Sequence, residues 1–276
     1  MDDHAAQARH FLELHHSERP LLLPNPWDLG SAKLLASLGF KALATTSGGF
    51  AASLGRADGS VSRDEAIAHA RAVTQASGLP VNGDFEHGFG EEPDAVAETI
   101  ELALGAGIAG CSIEDWSGSE IYAHELAVER VAAAAEAAHG GPAQLVLTAR
   151  AENHIRGHDD LGDTIARLQA YQEAGADVLY APGLRRIEDI HSVLESIDKP
   201  LNVLALPGVP AVAELAEVGV SRVSVGGAFA SVAYAALVRA ASELRDAGTY
   251  DYLEAAKAGS AATRAAFAAP AAQRTS

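Results

Sequence analysis

Asp84 and Glu86 stand two residues apart in the stretch Asp84-Phe85-Glu86-His87-Gly88-Phe89-Gly90, just after a short apolar run. A β-strand alternates its side chains, so both carboxylates point to one face. The glycines that follow mark a loop. Paired oxygen donors at a strand end suit a hard cation, Mg²⁺ or Mn²⁺. A second acidic pair, Glu114-Asp115, ends the next strand-like run, and Arg150 ends the one after it. An earlier strand-like run leads into Thr45-Thr46-Ser47-Gly48-Gly49, a loop rich in hydroxyl and N–H donors, with Asp58 in the same connection. Asn202 lies in a later run. Asp58, Asp84, Glu86 and Glu114 are therefore the candidate metal ligands. Ser47, Gly48, Gly49, Arg150 and Asn202 are the candidate substrate contacts. Arginine grips a carboxylate bidentately, and a metal beside it would stabilise charge developing on an enolate oxygen.

The elements that position these residues alternate in type. Candidate strands are Leu21–Pro24, Ala42–Thr46, Val81–Glu86, Ala109–Glu114, Leu145–Arg150, Val178–Ala181, Leu201–Ala205 and Arg222–Val225. Each is short, apolar or β-branched, and bounded by Gly, Pro, Asp or Asn. Helical patterns lie between them, among them Pro93–Leu104, His124–Ala138, Asp160–Ala174 and Ile187–Ser196. Gly39, Gly107, Gly175 and Gly219 each follow a helix and precede a strand, where glycine accepts the left-handed conformation that stops a helix. Eight such units without hairpin signals predict a (β/α)₈ TIM-type barrel; a doubly wound sheet is the competing α/β arrangement. Residues 1–258 are expected to form this single domain, with an extra C-terminal helix, and 259–276 a flexible tail.

Composition narrows the function classes. The net charge of −17 argues against nucleic-acid binding, which needs a basic footprint. One cysteine excludes an intrachain disulfide framework and a Cys-rich zinc site. The acidic, polar start MDDHAAQARHF has no signal-type apolar region, and no apolar run spans a bilayer, so a cytoplasmic protein is expected. A Schiff-base aldolase needs a lysine at the barrel rim. Lys41 and Lys199 precede strands, and Lys33 and Lys257 lie on predicted helices, so that chemistry is disfavoured.

Taken together, several segments resemble the isocitrate lyase / phosphoenolpyruvate mutase superfamily, from about Leu21 to about Ala247. They are Pro26–Phe40, Ser47-Gly48-Gly49, Gly55-Arg-Ala-Asp58, Asp84–Gly90, Ser112-Ile-Glu114-Asp115 and Thr148-Ala-Arg150. The resemblance implies a Mg²⁺-dependent lyase that cleaves a C–C or P–C bond next to a 2-oxoacid, through an enolate, on a small 2-oxoacid or hydroxy-dicarboxylate. It also implies a homotetramer with swapped C-terminal helices. Phosphonopyruvate mutase or hydrolase activity, oxaloacetate decarboxylation and a non-catalytic metabolite-binding barrel are the alternatives. Two departures stand out: Glu86 replaces the family's second aspartate, and the loop after Glu114 reads Trp116-Ser-Gly-Ser-Glu-Ile-Tyr-Ala-His124, without the Lys and Cys of the isocitrate and methylisocitrate lyases. Glu120, Tyr122 and His124 are the candidate proton donors in this loop.

Overall fold

The computed structural model describes residues 2–141 and 144–268. Eight short strands run along the chain: β1 (Leu21–Leu23), β2 (Leu43–Ala44), β3 (Val81–Asp84), β4 (Gly110–Glu114), β5 (Val146–Arg150), β6 (Val178–Tyr180), β7 (Leu201–Leu204) and β8 (Arg222–Ser224). All pair in parallel in one sheet, in the spatial order β1, β8, β7, β6, β5, β4, β3, β2. The ladder wraps through β1 and β8, and the remaining seam is bridged by Ala44 N–H donating to the Pro24 carbonyl at 3.1 Å. The result is a nearly closed (β/α)₈ barrel, which excludes the doubly wound alternative.

Eleven helices among the described residues surround the strands: α1 (Asp2–Leu14), α2 (Leu29–Ser37), α3 (Ser47–Ser53), α4 (Arg63–Ser77), α5 (Pro93–Leu104), α6 (His124–His139), α7 (Leu161–Glu173), α8 (Ile187–Leu194), α9 (Val212–Glu217), α10 (Ala228–Asp246) and α11 (Leu253–Ala268). The four glycines expected to stop helices hold φ angles of 88°, 74°, 108° and 96° at Gly39, Gly107, Gly175 and Gly219. Two elements depart from expectation. Ser47-Gly48-Gly49 is not a loop but the first turn of α3, capped by the Thr46 side chain, which accepts from Gly49 N–H. And α11 continues to Ala268, past residue 258 where a tail was expected to begin; residues 269–276 lie outside the described residues. None of the described helices is long and apolar enough to cross a membrane.

The main core lies between sheet and helices, and includes Cys111, whose thiol burial pushes far above its ordinary pKa. A second apolar cluster closes the bottom of the barrel, where Phe11 from α1 packs on Leu21, Leu23, Ala109 and Val146. Gly110 is required there: a Cβ would sit 2.7 Å from the Val146 carbonyl oxygen and 2.8 Å from the Phe11 ring. Polar groups fill the space beside this plug. His15 Nδ1 lies 2.8 Å from the Phe11 carbonyl, so Nδ1 carries the proton and Nε2 accepts from Arg222 Nη1 at 3.2 Å. Arg222 also donates to Asn202 Oδ1 (2.9 Å) and Thr148 Oγ1 (3.2 Å). Among the described residues no carboxylate pairs with this buried cation, and burial lowers its pKa to about 9.

His15 is therefore held neutral: burial, then the Arg222 charge, lowers its pKa to about 3. Below pH 6.5 the unfolded chain binds a proton at this position that the folded chain refuses, so stability falls as pH falls. Wild type is expected to lose roughly 2 kcal/mol more than His15→Gln between pH 7 and pH 5. Urea midpoints of both proteins at the two pH values measure this, and equal losses would refute the neutral assignment.

Candidate active site

The C-terminal ends of the strands open into a cleft of about 550 Å³. Its floor is organised by Arg150, the last residue of β5. The guanidinium Nη1 donates to Asp84 Oδ1 at the end of β3 (3.1 Å), while Nε and Nη2 donate to Glu152 Oε1 (3.0 and 2.8 Å). Glu114 at the end of β4 adds an ion pair at 2.9 Å. The guanidinium also lies 5.1 Å from the centre of the Tyr180 ring, at the end of β6. Burial works against the Arg150 charge, but Glu114, Glu152 and Asp84 more than offset it and hold its pKa above the ordinary arginine value. Burial likewise pushes Glu114 well above the usual carboxylate range, against the pull of Arg150.

Asp84 is fixed from a second side. Its Oδ2 accepts from Ser47 N–H (2.9 Å), and its own N–H donates to Thr45 Oγ1 (2.8 Å). This ties the end of β3 to the first turn of α3. Glu86 follows with φ at 48°, a left-handed conformation that is uncommon for a non-glycine residue and is found where surrounding structure enforces it. Phe89 shares it, at 60°. The loop containing both is clamped by the buried Arg130 of α6, which donates to the carbonyls of His87, Gly90 and Glu91. Burial first, then the charges of Asp84 and Asp58, pushes Glu86 up to about 7. Asp58 packs beside Gly48, where a Cβ would lie 3.1 Å from its Oδ2.

The cleft thus brings together Asp58, Asp84, Glu86, Glu114, Ser47, Gly48 and Arg150. The other candidates lie elsewhere. Gly49 faces Trp27 and Ala230. Asn202 is in the barrel interior, donating to Ser224 Oγ at 2.9 Å and accepting from Arg222. Tyr122 is buried, with the Arg130 guanidinium 4.2 Å from its ring centre. His124 begins α6, and Glu120 lines an outer groove. From the loop after Glu114, Trp116, Ser117 and Gly118 face the cleft instead. Sequence reasoning left Glu152, Arg156 and Tyr180 without a role, yet all three line it.

The four acidic candidates offer only oxygen donors, the set that Mg²⁺ or Mn²⁺ prefers. They are spread around Arg150 rather than drawn into a cage, and among the described residues no three acidic, His or Cys side chains are gathered as a ready ligand set. A cation here would be met by water as well as by carboxylate oxygens, which is how Mg²⁺ is commonly held.

Asp115, next to Glu114, has a structural task. Its Oδ1 accepts from Glu152 N–H (2.8 Å), and its Oδ2 accepts from Tyr171 OH (2.6 Å) and Arg167 Nη1 (3.2 Å). Asp115→Ala would leave the Glu152 N–H and the Tyr171 hydroxyl without an acceptor and take one of three partners from Arg167, and is expected to cost about 3–5 kcal/mol. Chemical denaturation checks this; a loss below about 1 kcal/mol would contradict the keystone role.

Comparison with known proteins places this cleft in a chemical context. The phosphoenolpyruvate phosphomutase family model matches residues 11–245. A crystal structure from Burkholderia cenocepacia J2315, described provisionally as a lyase/mutase, is 48% identical, covers 98% of each chain and superposes with a TM-score of 0.93. The oxaloacetate decarboxylase of Pseudomonas fluorescens is 31% identical over 91% of this chain and 84% of its own. Oxaloacetate acetylhydrolase in complex with its product oxalate is 27% identical, with 89% of this chain and 88% of that chain covered and a TM-score of 0.80. With more than half its length matched, the chain belongs to the phosphoenolpyruvate phosphomutase family, within the isocitrate lyase / phosphoenolpyruvate mutase superfamily.

Proposed function

We propose that this protein is a divalent-metal-dependent enzyme of lyase type that cleaves a carbon–carbon bond next to the oxo carbon of a small 2-oxoacid. The observation that carries the reading is the set of Asp58, Asp84, Glu86 and Glu114 around Arg150 at the C-terminal rim of a barrel. The decarboxylase and acetylhydrolase relatives, both named for action on oxaloacetate, support the substrate class. A bound Mg²⁺ would supply positive charge for the oxygen on which negative charge develops as the bond breaks. Asp58, Asp84, Glu86 and Glu114 would hold it.

The chain's own groups do the rest. Arg150 is pre-oriented by its three carboxylate partners, so its cationic face is fixed before substrate arrives. Ser47 and Gly48 border the same space and offer hydroxyl and N–H contacts to a substrate carboxylate. Trp116 covers one side of the cleft and helps to exclude water. No Lys or Cys comes from the loop of residues 116–124, which sets this chemistry apart from isocitrate and methylisocitrate cleavage. A cytoplasmic setting is part of the reading. So is assembly into a homotetramer through the C-terminal helices, supported by the exposure of Val232, Leu237 and Val238 on α10 at 68%, 64% and 63%.

A pyruvate-coupled assay with Mg²⁺ tests the reaction across oxaloacetate, 2-alkylmalates, methylisocitrate and phosphonopyruvate. Turnover should require the metal, be highest on a carbon–carbon substrate, and fall at least ~100-fold in Asp84→Ala. Turnover that survives both chelation and the substitution would overturn the metal-dependent reading. Turnover on phosphonopyruvate alone would move the reaction to the P–C bond.

A further inference from the structure

Two arginines reach the cleft, and they are not equivalent. Arg150 is held on all three nitrogens, with Nε, Nη1 and Nη2 each donating to a carboxylate and Glu114 pairing with Nη2 as well. Arg156 stands on the 3₁₀ turn His154–Arg156, its backbone N–H held by the carbonyls of Glu152 (3.1 Å) and Asn153 (3.2 Å). Its guanidinium lies over the Trp116 ring, 4.5 Å from its centre, a cation–π contact. Nη2 forms ion pairs with Glu152 Oε2 at 3.1 Å and Glu114 Oε1 at 3.5 Å. Nη2 is thus taken up by acids, while among the described residues Nε and Nη1 meet no carboxylate, on a side chain 35% exposed.

Its position gives those donors a use. Arg156 and Trp116 form the wall shared by the inner cleft and an outer groove of about 520 Å³. The inner cleft is lined by Asp58, Asp84, Glu86, Glu114 and Glu152, so a second negative charge entering it is repelled unless it meets a cation of its own. Arg150 is engaged by its acids, whereas Arg156 is fixed, cationic and open to the groove. We infer that Arg156 is a specificity residue that reads a second anionic group, distal to the reacting end of the substrate, and so selects a diacid over a monoacid. This deepens the oxoacid reading above and rests on it.

The test compares L-malate with L-lactate, which share a 2-hydroxyacid head and differ in the distal carboxylate. Both compete against oxalate, the compact two-carbon probe, in calorimetric titrations of the Mg²⁺-loaded full chain. Wild type should bind malate at least about tenfold more tightly than lactate, the scale of a charge-assisted bidentate contact. Arg156→Gln should bring that ratio to within about twofold while oxalate affinity stays within about twofold, and Arg156→Lys should restore part of the preference. Oxalate binding without a malate preference in wild type, or a preference that persists in Arg156→Gln, would overturn the inference alone. Failure of wild type to bind oxalate would bring down the oxoacid reading and the inference with it.

Discussion

A buried guanidinium surrounded by carboxylates is the interaction on which the rest of this structure depends. Arg150 takes its partners from three places: Asp84 at the end of β3, Glu114 at the end of β4, and Glu152 just after its own strand. Removing such a cation from water is costly and is tolerated only when its partners are well placed and hydrogen-bonded. Here they are, so one side chain fixes the spacing of adjacent strand ends. The acids gain by the same contacts. Without Arg150, Glu114 would be a carboxylate buried beside like charges, in a position that already drives its pKa upward.

That arrangement needs support on both sides. Above, Ser47 N–H holds the second oxygen of Asp84, and Arg130 clamps the loop that keeps Glu86 in its left-handed conformation. Below, Tyr180 leads from the Arg150 guanidinium to Ser224, and Ser224 connects through Asn202 to Arg222 and His15 at the base. The barrel is therefore apolar outside its strands and hydrogen-bonded within. Two buried arginines anchor its opposite ends, one neutralised by acids and one held by neutral acceptors. The difference matches their surroundings. The rim gathers the acids, whereas the base presents a histidine, an amide and a hydroxyl.

Much of this was legible in the sequence, for identifiable reasons. The strands were visible because each is a short apolar run flanked by turn residues, and the helix stops because glycine at Gly39, Gly107, Gly175 and Gly219 is what a left-handed stop requires. The rim positions of Asp84, Glu114 and Arg150 were legible because each ends a strand-like run, and the strands of a parallel barrel all end on one face. The helix at Ser47 was hidden by its two glycines, poor helix formers that are rescued by the Thr46 cap. Asn202 looked like a rim residue, but its register opposite Arg222 places it in the interior. Tyr122 looked like an acid near the cleft, and only the fold reveals that Arg130 from α6 occupies its ring face. Arg156 carried no local signal, because its meaning comes from Trp116, forty residues earlier in the chain.

The most direct test of the central claim, that the acids around Arg150 form a hard-cation site shared with an oxoacid, is a Mn²⁺ titration followed by electron paramagnetic resonance, with and without oxalate. Wild type should bind Mn²⁺, bind it more tightly when oxalate is present, and lose both effects in Asp84→Ala. Absence of Mn²⁺ binding in wild type under both conditions would contradict the account.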